Sequence, residues 1–432
     1  MAVDLSREVV LRWEDQDPAL APLLAEGGMD VVLVRAPAAA FVEACRGAGM
    51  RVAPASEVAI GDLAAFRQGA SGAVALSEGL WPGIGSEVKM QEDDPDAVSG
   101  PSKQPWVDAN GFRIPWLKAI CPERFPALAY LPDAKAGLKP DRLVPYDTLE
   151  LALVEAWLHG GNYVLAVEPR YRAALLKHDA KALTAWRKLG RTARWLKKHR
   201  ALFGGAVLPA ITLLVDEGEA TVEIANLMMR QNASPALEPA GSPPAPDPER
   251  RAVVVAVSLA AAPSEDVRNR ILAHADAGST VITDRGEGTP WWRASELRVV
   301  RDEPDRETYA LGRGRVVAYK RLIEDPSDFA LDVIDLATHA RRAVRIWWGA
   351  TAVTSLSAGP DSGPLRARAV LKAINYGSPL PWELMMYAQG HYESATMLRP
   401  EAEPLKLKTA RRGASTEVTL PDLRRVGVVL LN

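Results

Sequence analysis

At 432 residues the chain exceeds one ordinary hydrophobic core, which predicts two or three domains. Hydrophobic residues at 48%, charged residues at 25% and a net charge of -2 describe a globular composition and argue against a nucleic-acid binder, which carries a basic excess. Two cysteines, Cys45 and Cys121, exclude a disulfide framework, and no apolar run approaches the ~20 residues of a membrane span. Residues 1–8 lack a basic segment followed by an apolar one, so no signal peptide is expected. A cytoplasmic location is the default reading, with secretion left open should a leader have been trimmed.

Up to about residue 206, apolar runs that suit buried strands alternate with amphipathic stretches. Strands are expected at residues 9–13, 30–35, 51–57, 72–76, 127–131 and 162–168. Helices are expected at 18–25, 38–46, 62–68, 112–120, 148–159 and 180–202. Such alternation implies parallel pairing with right-handed crossovers, met by a barrel or by an open doubly wound sheet. Six strands are two short of an eightfold barrel, so the barrel reading carries either two hidden strands or an incomplete ring. The helix at 148–159 repeats Leu149, Ala152, Leu153, Ala156 and Trp157 on one face. The basic run from Arg187 to Arg200 on the long helix reads as its solvated face.

A second α/β unit follows, with strands at 210–215, 252–257, 279–283 and 312–319 and helices at 220–231, 264–277 and 327–341, which predicts a flavodoxin-like domain. The proline-rich residues 234–249 read as an irregular excursion within it. Gly312-Arg-Gly314 lacks the remaining spacing of a dinucleotide loop and reads as a turn. From about residue 344 short apolar runs at 370–375, 405–408, 416–420 and 426–431, separated by turns, predict a β-sandwich. The fold class is therefore α/β. A (β/α) barrel over 1–206, complete or incomplete, precedes the flavodoxin-like domain over 207–342 and a C-terminal β-sandwich over 343–432.

The stretch Gly72-Ala-Val-Ala-Leu-Ser-Glu-Gly-Leu-Trp-Pro-Gly83 delivers an acid, Glu78, and an aromatic, Trp81, at a strand end closed by glycine and proline. That pairing suits a sugar, which offers an apolar ring face to an aromatic and a glycosidic oxygen to an acid. Glu168 stands at a second strand end, and Glu14, Glu57 and Asp133 at others; any one alone reads more readily as a helix cap or ion-pair partner. Trp13 and Trp106 sit at strand ends or loops, with Asp108 and Asn110 close behind Trp106. The six histidines form no His-Glu-x-x-His motif and no close pair, so neither a metal site nor a cofactor is expected. Trp291-Trp292 and Trp347-Trp348 cannot both turn inward if extended, which sets one of each pair at an interface.

The order of a βα barrel, a flavodoxin-like domain containing Gly312-Arg-Gly-Arg-Val-Val317 and a C-terminal β module resembles family 42 β-galactosidases and their clan A relatives. The resemblance implies an acid/base glutamate after the fourth strand, matched by Glu78, and a nucleophile glutamate after the seventh, for which Glu168 is the best match. It also implies a middle domain similar to glutamine amidotransferases that supports a homo-oligomer. The family sets asparagine before its acid/base, and this chain has Ser77. Both cysteines precede residue 122, so the middle domain lacks the nucleophile for amidotransferase chemistry. Two functions are expected from this reading. One is hydrolysis of a glycosidic bond by Glu78 and Glu168, with Trp13, Trp81, Trp106, Asp108, Asn110 and Asp133 lining a carbohydrate site. The other is a catalytically inactive carbohydrate-binding or assembly protein that retains the architecture. Neither involves nucleic acid or membrane.

Overall fold

The computed structural model describes residues 2–69, 72–79, 110–130, 144–208, 210–247, 252–284, 290–293, 297–337, 343–349 and 351–432. In its first part the strands are β1 (Val10–Arg12), β2 (Val31–Val34), β3 (Arg51–Pro54), β4 (Val58–Gly61), β5 (Ala73–Leu76), β6 (Ala127–Ala129) and β7 (Asn162–Ala166). Between and after them lie helices α1 (Ala21–Glu26), α2 (Ala39–Gly47), α3 (Leu63–Gln68), α4 (Arg113–Ile120), α5 (Thr148–Leu158), α6 (Pro169–Leu176) and α7 (Ala180–His199). The strands form one parallel sheet in the order β3-β2-β1-β7-β6-β5-β4.

This sheet is curled, and the chain shows why. Its edges, β3 and β4, are joined only by the turn Ala55–Glu57, which spans at most ~14 Å. A flat seven-stranded sheet would hold its edges roughly 29 Å apart. Alternate residues of all seven strands therefore meet in one apolar cluster: Val10, Val31, Leu33, Ala53, Val58, Ala75, Ala127, Ala129 and Val164. Val3 and Leu5 join it from below, where the Asn162 amide donates to the carbonyls of Leu5 at 2.6 Å and Glu8 at 2.9 Å. The opposite strand faces pack under the helices, with Trp186 of α7 fully buried and its indole N–H donating to the Leu23 carbonyl at 2.6 Å. Gly190 lets α7 lie this close to the α1 terminus, because a β-carbon there would collide with the Glu26 carbonyl.

Two sequence expectations change here. Residues 51–57 are not one strand: Pro54 ends β3, and after one turn the chain runs on in the same direction as β4 at the other edge. Helix α5 is buried on every side, not on one face, because the C-terminal sheet covers what would otherwise be its solvent face.

The second part holds β8 (Ile211–Val215), α8 (Glu219–Arg230), β9 (Ala236–Pro239), β10 (Val253–Ala256), α9 (Glu265–Asp276), β11 (Thr280–Asp284), β12 (Arg298–Asp302), β13 (Arg306–Leu311), β14 (Gly314–Tyr319) and α10 (Pro326–Leu336). Its strands form a mixed sheet in the order β12-β13-β14-β11-β10-β8-β9, parallel from β14 to β9 and antiparallel at the β12–β13–β14 end. The expected irregular excursion at 234–249 contains the edge strand β9. The pair β12 and β13 was not expected, since Arg298–Asp302 is exposed throughout and carries no apolar alternation.

The rest of the chain is antiparallel: β15 (Val344–Ile346), β16 (Ala352–Ala358), β17 (Ala369–Asn375), β18 (Leu384–Gln389), β19 (Ala395–Leu398), β20 (Leu405–Leu407), β21 (Thr409–Arg412), β22 (Ser415–Leu420) and β23 (Val426–Leu431). They make two sheets, β15-β18-β22-β21 and β16-β17-β23-β19-β20, and residues from both share one apolar cluster that includes Leu371, Met386, Met397, Val418 and Val429. Among the described residues no helix is long and apolar enough to cross a membrane.

Candidate active site

The carboxyl ends of the parallel strands form a rim lined by charge. Arg12, two residues beyond the inward-facing Val10, lies on the same side of β1, and its guanidinium donates to the Tyr130 carbonyl at 3.4 Å. Burial lowers its pKa from the ordinary arginine value, partly opposed by Glu14. Beyond β1, Glu14 pairs with Arg172 of α6, and Asp15 lies 3.7 Å from the same guanidinium.

Glu78 follows β5 and forms an isolated bridge with Tyr130. Its carboxylate accepts from Arg113 of α4 at 2.6 Å, and the side chain is 45% exposed, so it remains open to solvent. The Arg113 guanidinium in turn lies 5.2 Å from the Phe112 ring centroid. Gly79 is needed next, because its N–H donates to the Ala129 carbonyl at 3.0 Å and a β-carbon there would press on that carbonyl and on the Tyr163 ring. Glu168 follows β7 as the N-cap of α6: one carboxylate oxygen accepts from the Tyr171 N–H at 2.9 Å, and Pro169 opens the helix. The structure therefore sets the two glutamates at the same end of the sheet, on strands flanking β6.

The other expected site residues divide. Trp13 is buried at 4% exposure in the cluster between sheet and helices, and its indole N–H has no partner among the described residues. Asn110 is fully buried, with its backbone N–H and its amide both donating to Glu155. Trp81, Trp106, Asp108 and Asp133 lie outside the described residues. Among the described residues no group of three or more His, Cys, Asp or Glu side chains could hold a metal ion.

Sequence reasoning missed a strongly perturbed carboxyl group, Glu155. Glu155, inside α5, is fully buried and accepts from the N–H groups of Asn110 at 2.7 Å and Gly111 at 2.6 Å, the Asn110 amide at 3.2 Å and the Tyr376 hydroxyl at 2.6 Å. Burial raises its pKa to about 7 against the opposing pull of these bonds. One turn on, Lys372 of β17 donates to the Leu158 carbonyl at 2.9 Å, and burial pushes its pKa down to about 8, with Lys118 adding to the effect. The available signal was a pair of glutamates, Glu150 and Glu155, inside an apolar helix. This cluster joins α5 to the C-terminal strands.

No family model matches the chain, and no curated protein matches its sequence. Its chain path is similar to several glycoside hydrolases of known structure. An α-L-fucosidase isoenzyme 2 from Paenibacillus thiaminolyticus matches with a TM-score of 0.47 and 10% identity, over 71% of this chain and 60% of that one. A β-galactosidase from Bacillus circulans sp. alkalophilus matches with a TM-score of 0.44 and 12% identity, over 66% and 52%. An exo-β-1,4-mannosidase from Opitutaceae bacterium strain TAV5 matches with a TM-score of 0.36 and 10% identity, over 78% and 97%. The chain thus spans 60% of the fucosidase and 52% of the β-galactosidase.

Proposed function

We propose that this protein hydrolyses a glycosidic bond, with Glu78 as general acid/base and Glu168 as the second carboxylate. The observation that supports this is their common position, at the carboxyl ends of next-but-one strands of a curled parallel sheet. Two strand spacings separate their backbones by about 10 Å, from which two glutamate side chains reach the ~5–9.5 Å between carboxyls that glycoside hydrolysis uses. Glu78 protonates the departing glycosidic oxygen. Glu168 attacks the anomeric carbon or activates water against it. Trp81, Trp106, Asp108 and Asp133, from the segments that follow β5 and β6, line the sugar. Asn110 ties the first of these segments to α5 through Glu155, and Trp13 supports the rim from the core.

Residues 207–342 form a flavodoxin-like domain in this reading. The parallel strands β9-β8-β10-β11-β14 follow the 2-1-3-4-5 order of that fold, which supports it. That domain assembles copies of the chain. Its edge strand β12, with Val299 and Val300 about half exposed, supports this. Residues 343–432 form a β-sandwich, a reading supported by the apolar cluster the two antiparallel sheets share.

A second reading is an inactive carbohydrate-binding or assembly protein. It is favoured by the partners each glutamate already has, Arg113 for Glu78 and the Tyr171 N–H for Glu168. A panel of nitrophenyl glycosides separates the two. Under the first reading Glu78→Gln and Glu168→Gln each lower kcat by at least ~100-fold while the melting temperature holds within a few degrees. Full activity in either variant sinks the assignment. Wild-type protein that binds saccharide yet turns over no glycoside establishes the second reading.

A further inference from the structure

The two most exposed tryptophans described in the chain sit together, far in sequence from the rim glutamates. Trp348 is 68% and Trp382 49% exposed, and the indole N–H of Trp382 donates to the Trp348 carbonyl at 3.1 Å. Exposing two such rings forgoes burial that the fold would otherwise gain. Nor are they loose. The turn bearing Trp348 is fixed by its neighbour Trp347, whose N–H donates to the Met385 carbonyl at 3.0 Å and whose ring packs on Tyr387 at 4.6 Å. The turn bearing Trp382 is pinned by the bridge between Leu380 and Leu423 and by the Asn375 amide, which donates to the Ser378 carbonyl at 2.7 Å. Trp348 also has φ +58, a left-handed conformation that a bulky residue rarely adopts. Strain of this kind persists where the surroundings over-determine it, and it clusters at ligand clamps.

We infer that Trp348 and Trp382 form a saccharide-binding platform, separate from the rim glutamates, on which the apolar faces of successive sugar rings stack. The small apolar area decides against a second copy of the chain as the occupant. The two partly exposed rings offer at most ~300 Å², whereas a stable interface buries about 800 Å² on each partner. Next to Trp382 in the chain Ser378, Pro379, Pro381 and Glu383 are exposed, so the turn that carries this ring also offers hydroxyl and carboxylate groups to a polyhydroxylated ligand. Rings held in advance by turns lose little conformational freedom on binding. The site goes beyond the proposed hydrolysis but shares its ligand class, so the test must separate the two.

Affinity electrophoresis of the full chain through native gels containing galactan, xylan or mixed-linkage β-glucan provides that test. The wild-type protein is retarded by at least one polymer. Trp348→Ala with Trp382→Ala loses that retardation, a weakening of at least tenfold, and Trp382→Ala alone weakens it in part. Glu78→Gln with Glu168→Gln stays retarded like the wild type. Unchanged melting temperatures show that the exposed substitutions leave the fold intact. Absence of retardation on all three polymers overturns the proposal. So does retardation lost only in the glutamate variant, which would place the sugar at the rim, or a concentration-dependent dimer abolished by Trp348→Ala, which would assign the rings to self-association.

Discussion

Glu155 shows how one buried acid ties stability to pH. Its pKa is raised by burial to about 7 from the usual value of 4.5, so the folded protein holds this proton more tightly than the unfolded chain does. The stabilisation is complete below about pH 4.5 and is lost as pH rises through about 7, a change on the order of 3 kcal/mol. Glu155→Gln keeps a neutral acceptor for the N–H groups of Asn110 and Gly111 and the Tyr376 hydroxyl and removes the titration. The urea midpoint of the wild type is therefore expected to fall between about pH 5.5 and about pH 8, while that of Glu155→Gln stays nearly level. Equal slopes in both would show that Glu155 does not titrate in this window. Little of this residue's role was legible in the sequence, because its hydroxyl partner lies 221 positions away. Glu78 and Glu168 were legible as strand-end acids, since a short apolar run followed by an acid and a breaker is a local pattern. Their partners Arg113 and the Tyr171 N–H were not, the first because it depends on how α4 docks. The second depends on α6, a helix that the sequence analysis did not predict between the strand ending at residue 168 and the helix at 180–202.

At the scale of elements, α5 and α7 are joined through Glu150, whose side chain is 3% exposed. Thr192 donates to it at 2.7 Å, Lys188 lies 2.6 Å from its other oxygen, and the nearly buried Arg425 approaches at 3.9 Å while also pairing with Asp147. Glu150 is buried but its nearest cation, Lys188, is 40% exposed and Arg425 keeps Asp147, so Glu150→Ala should cost about 1–3 kcal/mol in chemical denaturation. A loss below ~1 kcal/mol would mean that water replaces the carboxylate without strain. The basic run on α7 was read as a solvated face, and the helix itself was legible from its apolar stripe. The acids that meet its cations were not: Glu26 and Asp30, both at the α1–β2 junction, Glu150 and Glu401 come from three separate places in the chain. Strand counting failed in the same way at residues 51–61. Periodicity marks apolar runs but not the point at which one run ends its pairing with β2 and begins pairing with β5, which only the curl of the whole sheet determines.

At the scale of the whole molecule, the three regions expected from sequence each hold an apolar cluster of their own and share a further one. One apolar cluster runs through Leu153 and Trp186 beside the first sheet, Leu213 and Val255 in the second, and Val370, Ile374 and Val428 in the C-terminal strands. Polar ties follow the same route. The Trp116 indole donates to the Asp216 carbonyl at 2.9 Å, the Asn232 amide oxygen accepts from the N–H and the hydroxyl of Thr354, and the Leu208 N–H donates to the Leu356 carbonyl at 2.9 Å. The C-terminal strands also cover α5 and supply the Tyr376 hydroxyl and the Lys372 ammonium. Such sharing predicts that the full chain melts in one calorimetric transition. A chain ending at residue 342 would expose the apolar outer face of α5 and leave Glu155 buried without its strongest neutral donor, two losses of the kind that abolish specific packing. It is expected to bind a hydrophobic dye and to show no cooperative transition. A truncated chain that melts cooperatively within a few degrees of the full one would instead make the C-terminal strands an appended module and α5 stable without them.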